Sequence, residues 1–287
     1  MTFLITGVTG RTGAAVADLL INNNQDIKVM VRSEEAGQIW RAKGADIVLG
    51  DFTDPDSLLS AFTGVTGAYI MTPPLAEAED LLTARISLEE NIIKAIQKNN
   101  IEHVVLLSAF AAHLSEGTGQ IVGLHRMENR FKDSGVSFTS LRAAFFMENW
   151  APSIARAKDS GIFPSFVHPV DLMIEQVSTK DIGHAAFRAL NDPINGQRYI
   201  SVAGPKQYSA ADAALYLAEH LGQNVNATEL DEDKWHGVWG GLGWSEDRCR
   251  LYQEFFNSIN SGLARFSEED DVWRGSDDLE SVLKRMV

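Results

Sequence analysis

Short apolar runs alternate along the chain with stretches whose apolar residues recur every three or four positions, and the alternation starts at the first residues. Thr2-Phe3-Leu4-Ile5-Thr6 predicts a strand, and Val16, Leu19 and Leu20 fall at turn spacing behind it and predict a helix. Between the two stand Gly7, Gly10 and Gly13. Ile27-Lys28-Val29-Met30-Val31 is a second strand that stops at Arg32, and residues 45–50 form a third. Asp54-Pro55 then opens a helix carrying Leu58, Leu59 and Phe62, since proline suits a first helical position whose N–H has no partner anyway. Residues 67–71 make strand four, ended by Thr72-Pro73-Pro74, and a long helix over 77–99 follows with Leu82, Ile86, Ile93 and Ile96 as its apolar positions. Strand five, 103–107, ends at Ser108; a helix over 121–132 and a strand over 136–142 complete the series. This rhythm predicts an α/β fold, with a parallel, doubly wound sheet covered by helices on both faces.

Beyond strand six the regularity fails, so residues 1–150 read as one nucleotide-binding domain and 151–287 as a smaller lobe, with parts of 170–205 returning to the first. Residues 177–183 look like a strand end with Ser178 or Thr179 capping a helix to about 190, and 198–202 is a further strand. Helices are predicted from Tyr208 to about 221, over 246–260, and at the end to about 286, where Ser276 is the expected cap with Asp277 and Asp278 in the first turn. Trp235, Trp239 and Trp244 lie in and around the glycine-rich stretch 237–243, either a mobile cover over an apolar site or a loop held down by its tryptophans.

Composition narrows the partners. Against 25 Lys and Arg stand 39 Asp and Glu, a net charge of −14, which is the wrong sign for a nucleic-acid partner but no obstacle to one nucleotide held locally. A single cysteine, Cys249, leaves no intrachain disulfide and no Cys-based metal site, so no metal is expected and a reducing cytoplasm fits. No apolar run approaches the length of a membrane span, and the first strand leaves no room ahead of it for a secretory leader. The expected assembly is a monomer or homodimer.

Strand, glycine turn and helix together make the arrangement that binds a dinucleotide. One glycine lets the chain reverse, one lets backbone approach a pyrophosphate, and one lets helix lie on strand, while the helix N-terminus offers free N–H groups and the positive end of its dipole. The spacing here is Gly-x-x-Gly-x-x-Gly, and Gly7, Thr9, Gly10, Arg11, Thr12 and Gly13 are the candidate phosphate contacts. Arg32 stands where the adenosine ribose is recognised; an acid there accepts from a 2′-hydroxyl, whereas arginine pairs with a 2′-phosphate, so NADP(H) is expected over NAD(H). Glu34 and Glu35 follow closely as opposing charges. Asp51 and Phe52 are either a polar contact and an apolar wall for the adenine or ordinary turn residues. Met71, Thr72, Pro73 and Ser108, at the carboxyl ends of strands four and five, are expected to face the same ligand. Phe145, Phe146, Met147 and Trp150 cluster past strand six, as core or as the pocket where a small aromatic or apolar acceptor meets the nicotinamide.

Taken together these residues resemble the NmrA-like branch of the atypical short-chain dehydrogenases/reductases, a group that includes quinone oxidoreductases, azoreductases and triphenylmethane reductases. The likeness runs through Thr6-Gly7-Val8-Thr9-Gly10-Arg11-Thr12-Gly13, Val31-Arg32, and Gly50-Asp51 with Asp54 and Leu58. It continues in His125 with Glu128, Leu141-Arg142, Glu148-Asn149 and Thr179-Lys180-Asp181-Ile182-Gly183. It implies a Rossmann-type domain binding NADP(H) and a smaller α+β carboxyl-terminal substrate lobe. Ordinary members of the superfamily use a Tyr-x-x-x-Lys pair, in which lysine lowers the phenol pKa for proton exchange with substrate. This chain has none: its tyrosines, at 69, 199, 208, 216 and 252, are followed four residues on by Pro73, Ala203, Asp212, His220 and Phe256. Two functions follow. One is an NADPH-dependent reductase of an acceptor already electrophilic enough to need little acid, such as a quinone, azo or triarylmethane compound, with His125 as the candidate proton donor. The other is a non-catalytic NADP(H)-binding redox sensor acting on a protein partner through its tryptophan-bearing loop and acidic tail.

Overall fold

The computed structural model describes residues 1–75 and 78–287. Its first half follows the predicted series: β1 (Thr2–Ile5), α1 (Arg11–Asn22), β2 (Asp26–Val31), α2 (Glu34–Ala42), β3 (Asp46–Leu49), α3 (Pro55–Ala61), β4 (Gly67–Ile70), α4 (Leu81–Lys98), β5 (His103–Ala109), α5 (Ile121–Ser134) and β6 (Phe138–Ala143). The rest comprises β7 (Phe145–Phe146), α6 (Ala151–Ser160), β8 (Ile162–Ser165), β9 (Ile174–Val177), α7 (Thr179–Asn191), β10 (Gln197–Ala203), β11 (Gln207–Tyr208), α8 (Ala210–Leu221), β12 (Asn226–Glu229), α9 (Trp235–Gly240), α10 (Glu246–Asn260), β13 (Asp271–Arg274) and α11 (Leu279–Met286).

The main sheet has the order β13-β10-β6-β5-β4-β1-β2-β3, and every pairing in it is parallel. Strand alternation splits the apolar residues between two helical layers. Phe3, Ile5, Val29 and Val31 face Val16 and Leu20 of α1, Trp40 of α2 and Ile182 of α7, while Leu4 and Met30 face Leu58 of α3, Ile92 of α4 and Met127 of α5. A third core, built on Trp150, Phe163, Trp235, Phe256 and Leu283, draws mostly on the elements after β6, joined by Phe110, Ala112 and Ile121. The strand order reverses between β1 and β4, which in doubly wound sheets is the crevice where ligands bind, outside the carboxyl ends of the strands.

Several expectations need correction. The long helix begins at Leu81, capped by Asp80, whose carboxylate accepts from Thr83 N at 2.9 Å; Ala78, Glu79 and Asp80 are not helical, and Glu77 lies outside the described residues. The final helix is capped by Asp278, which accepts from Ser281 N at 2.7 Å, rather than by Ser276. Asp277 precedes that helix, buried, with its N–H donated to the buried Asp181 carboxylate at 2.9 Å and its own carboxylate taken by Arg285. Tyr208 ends β11, and Ser209 caps α8 through a reciprocal pair with Asp212. β13 has no counterpart among the predicted strands: Asp-Val-Trp-Arg is too short and too charged to show a strand period, and it forms because β10 offers a parallel edge at Ile200–Ala203. Of the two readings of the tryptophan stretch, the structure has the held one, since Trp235 is fully buried with its Nε1 donating to Leu230 O at 2.7 Å and Trp239 stacks on Phe166 and Phe256.

Candidate functional site

The glycine turn between β1 and α1 sits at the strand-order reversal, beside the start of the loop leaving β4. Gly7 has φ +69°, a left-handed conformation that side chains resist, and the Gly10 N–H closes the turn on Gly7 O at 2.9 Å. A Cβ on Gly13 would lie 2.4 Å from Gly7 O and 2.6 Å from Thr6 O, atoms of the backbone that have nowhere to go. The helix therefore rests on the strand only because residue 13 is glycine. α1 starts at a cap, Gly10, that has no side chain to satisfy the first N–H groups, and its first turn holds no acid. Its positive end is free for an anion.

Thr12 is buried in that first turn and the Tyr69 phenol lies beneath, fully enclosed, with burial pushing its pKa up and nearby Thr12 opposing. Thr6 Oγ1 donates to Tyr69 O at 3.0 Å and accepts from Met71 N at 3.1 Å, which fixes the turn to β4. The Met71 side chain covers Gly7, and half-buried Thr72 and Pro73 follow it over the crevice. Thr9 and Arg11 are exposed at the mouth of the turn.

Arg32 ends β2 exposed and makes no ion pair among the described residues. Glu34, an apparent threat to phosphate binding there, is turned to Arg41 at 2.8 Å. Asp51 accepts from Thr53 N and Oγ1 at 2.8 and 2.7 Å, which holds its pKa below the usual carboxylate range with a smaller push from Arg32. Phe52 is buried in the α3/α4 core with Leu58 and Phe62, so its ring is committed to packing, and only its backbone reaches outward, where the carbonyl accepts from Asn91 at 3.1 Å.

Further along the sheet the predicted residues separate. Ser108 is buried and donates to Glu128 Oε1 at 2.7 Å, so its hydroxyl is engaged inside the protein rather than offered to a ligand. Glu128 also accepts from Ser140 at 2.6 Å and pairs with Arg142 at 2.6 Å; Arg142 reaches Asp270 at 2.7 Å, and Asp270 accepts from Ser201 at 2.7 Å. This chain of charges joins α5, β5, β6, β10 and the approach to β13. Asp270, Ser140 and Ser201 carried no sequence signal as members of this network, because its members meet only through the sheet register.

His125 is half-buried, with Nδ1 at 2.9 Å from Ala112 O and Nε2 at 2.8 Å from the side-chain amide of Asn129. A carbonyl can only accept, so Nδ1 carries the proton and Nε2 accepts from the amide. Asn129 thus stands four residues from His125 on the same helix face, a partner that sequence reasoning alone does not single out. Phe145, Met147 and Trp150 are buried in the third core, where Phe145 meets Trp150 at 5.4 Å and Phe256 at 6.4 Å; only Phe146 of the four is half-exposed. Of the two readings of this cluster, core or pocket, Phe145, Met147 and Trp150 pack into the third core and Phe146 stands at its edge. No group of three or more potential metal ligands occurs among the described residues.

A parallel sheet running 3-2-1-4-5-6 with a glycine turn at its reversal is the Rossmann class of dinucleotide-binding folds. Residues 1–238 match the model of the NmrA-like family, and the chain belongs to that family. It is 22% identical over 253 residues to the NAD(P)H azoreductase of Xenophilus azovorans, covering 88% of this chain and 85% of that protein. To quinone oxidoreductase 2 of Escherichia coli (strain K12) it is 24% identical over 230 residues, covering 79% and 77%. The crystal structure of Citrobacter sp. triphenylmethane reductase complexed with NADP(H) matches with a TM-score of 0.83 at 20% identity, over 100% of both chains. No described helix is long and apolar enough to cross a membrane.

Proposed function

We propose that the protein is an NADPH-dependent reductase of an electrophilic aromatic acceptor. The observation that carries this is the cradle at Gly7, Gly10 and Gly13: an uncapped helix start whose close approach to backbone a single Cβ would destroy. That cradle fits a pyrophosphate, held by the free N–H groups of α1 with Thr9 and Thr12 beside it. In this reading the exposed Arg32 takes the 2′-phosphate, the exposed Arg11 joins the contacts of the glycine turn, and Met71, Thr72 and Pro73 border the ring system along the crevice. The relatives named as azoreductase and quinone oxidoreductase support the reaction class.

The coenzyme, when bound, supplies hydride. The chain's share of the reaction is to hold coenzyme and acceptor face to face in a dry cleft and to move one proton. His125 carries that proton at Nε2, with the Asn129 amide turning from donor to acceptor as the ring becomes charged, while Ala112 O holds Nδ1 in place. An acceptor that is already electrophilic asks no more acid than this. A phenol–lysine pair is therefore dispensable.

The test mixes purified protein with NADPH and a panel of quinones, azo dyes and triarylmethane dyes while following nicotinamide absorbance. At least one acceptor should be reduced well above the buffer rate; if none is, the redox-sensor reading takes its place. Coenzyme choice is tested separately. Arg32→Ala should weaken NADPH by roughly 1.5–3 kcal/mol, the worth of a hydrogen-bonded charge pair, and leave NADH almost untouched. Equal weakening of both coenzymes would remove Arg32 from the ribose site.

A further inference from the structure

Two arginines beside the start of α5, Arg85 and Arg248, form no ion pair of their own among the described residues. Arg85, on the second turn of α4, is only 7% exposed; its Nε has no partner, and its Nη1 makes one long bond, 3.3 Å, to Gln120 O. Glu89, one turn on, is already taken by Arg126 and Arg130 at 2.7 and 3.0 Å. Arg248, on α10, forms no ion pair among the described residues, and its guanidinium lies over the Trp244 ring at 3.9 Å and 5.6 Å from that of Tyr252. Burial pulls the Arg85 pKa below the ordinary arginine value, against Tyr252 and Glu89, with smaller pushes the same way from the charges of Arg126 and Arg248. On α10 itself, Asp247 and Glu254 pair with Arg250 at 2.6 and 3.9 Å. Enclosing cations without a counter-charge is costly, and an anion arriving between them relieves the cost.

The place is next to the proposed chemistry. Arg85 touches Gln120 and the Gly123 position at the start of α5, ahead of His125 on the same helix. From Trp244 the rings continue inward through Trp239, stacked nearly parallel at 5.9 Å, to Phe256 and on to Phe145. α10 is itself fastened to the loop leaving β4, where Ser245 Oγ donates to Ala78 O at 3.1 Å and Leu81 N donates to the Asp247 carboxylate at 3.0 Å. We infer that the acceptor is a planar aromatic carrying an anionic substituent, with its ring against half-buried Trp244 and Tyr252 and its carboxylate, sulfonate or phenolate between Arg85 and Arg248. Guanidinium suits this because its planar fork pairs two oxygens at once while its face stays on the indole. The inference rests on the reductase reading for the word acceptor, but binding can be measured without turnover.

Calorimetry and tryptophan fluorescence with 2-naphthalenesulfonate and with (2-naphthyl)trimethylammonium, the same ring with opposite charge, test it on the intact protein. The sulfonate should bind at least about tenfold tighter than the cation and quench tryptophan emission. Arg248→Gln, checked for an unchanged melting temperature, should lose about tenfold in sulfonate affinity and nothing for the cation, with Arg248→Lys in between. The wild-type comparison stands without any variant should the glutamine form not fold. Equal affinities, binding of neither probe, or an unaffected Arg248→Gln overturns the proposal. Sulfonate binding without NADPH consumption by any acceptor would instead sink the reductase reading and leave the anion site in place.

Discussion

Arg142→Ala is expected to destabilise the protein by about 3–5 kcal/mol, the usual result of stripping one partner from a buried ion pair. The side chains of Arg142, Glu128 and Asp270 are 8%, 5% and 2% exposed, so removing the guanidinium leaves two carboxylates enclosed without a cation. Three serines remain as donors to them, but Ser108, Ser140 and Ser201 are neutral and cannot supply the charge. The guanidinium also lies over the Tyr199 ring at 4.4 Å, and the alanine methyl cannot reach that ring. Urea unfolding measures the change as a shift in midpoint at constant slope. The triple variant Arg142→Met, Glu128→Gln, Asp270→Asn should recover much of the stability, because it removes the charges together. A single-variant cost below about 1 kcal/mol would show that water reaches the network and that the three side chains are not sealed in.

Gly13→Ala is expected to do comparable harm by a different route. Its Cβ must displace Gly7 O or lift α1 off β1, and overpacking of this kind costs about 1–3 kcal/mol. Lifting the helix also withdraws the N–H groups from the phosphates, so coenzyme affinity should fall by more than about a hundredfold even below the variant's melting temperature. Gly10→Ala gives the internal comparison. There the nearest atom to a new Cβ is Gly7 O at 3.3 Å, a contact that a shift of a few tenths of an ångström relieves, so stability should change by less than about 1 kcal/mol. Equal stability losses for the two variants would mean that the turn tolerates side chains generally and that Gly13 has no special place in it.

Most of the first six strands were legible because burial within the sheet leaves short apolar runs, while β3, the exposed edge, showed only Ile47-Val48-Leu49; glycine, proline or capping residues mark the exits. The glycine turn was legible for a related reason: its demands fall on the backbone, and residue type alone records them. What could not be read depended on register. Ser201 and Asp270 join Arg142 only because β10 pairs with β6 at Ser201 opposite Arg142, and no local pattern encodes that alignment. Ser108 has the position of a ligand contact, at the end of a strand; its actual partner, Glu128, lies on a helix twenty residues away. The aromatic cluster after β6 shows the same limit from the other side, since Phe145 and Trp150 are equally suitable for a pocket wall and for a core, and only the arrival of Phe256 and Phe163 fills the space around them.

The position of β13 has a bearing on how the protein comes to be made. The outermost parallel strand, the second carboxylate of Arg142 and the Arg265 carbonyl that receives the Ala111 N–H all come from residues 265–274, after every other strand in sequence order. During synthesis nearly every other element is available before them, so β10 waits as an open sheet edge with a half-neutralised arginine behind it. Until residues 270–274 have been made, that edge stays open to wrong partners.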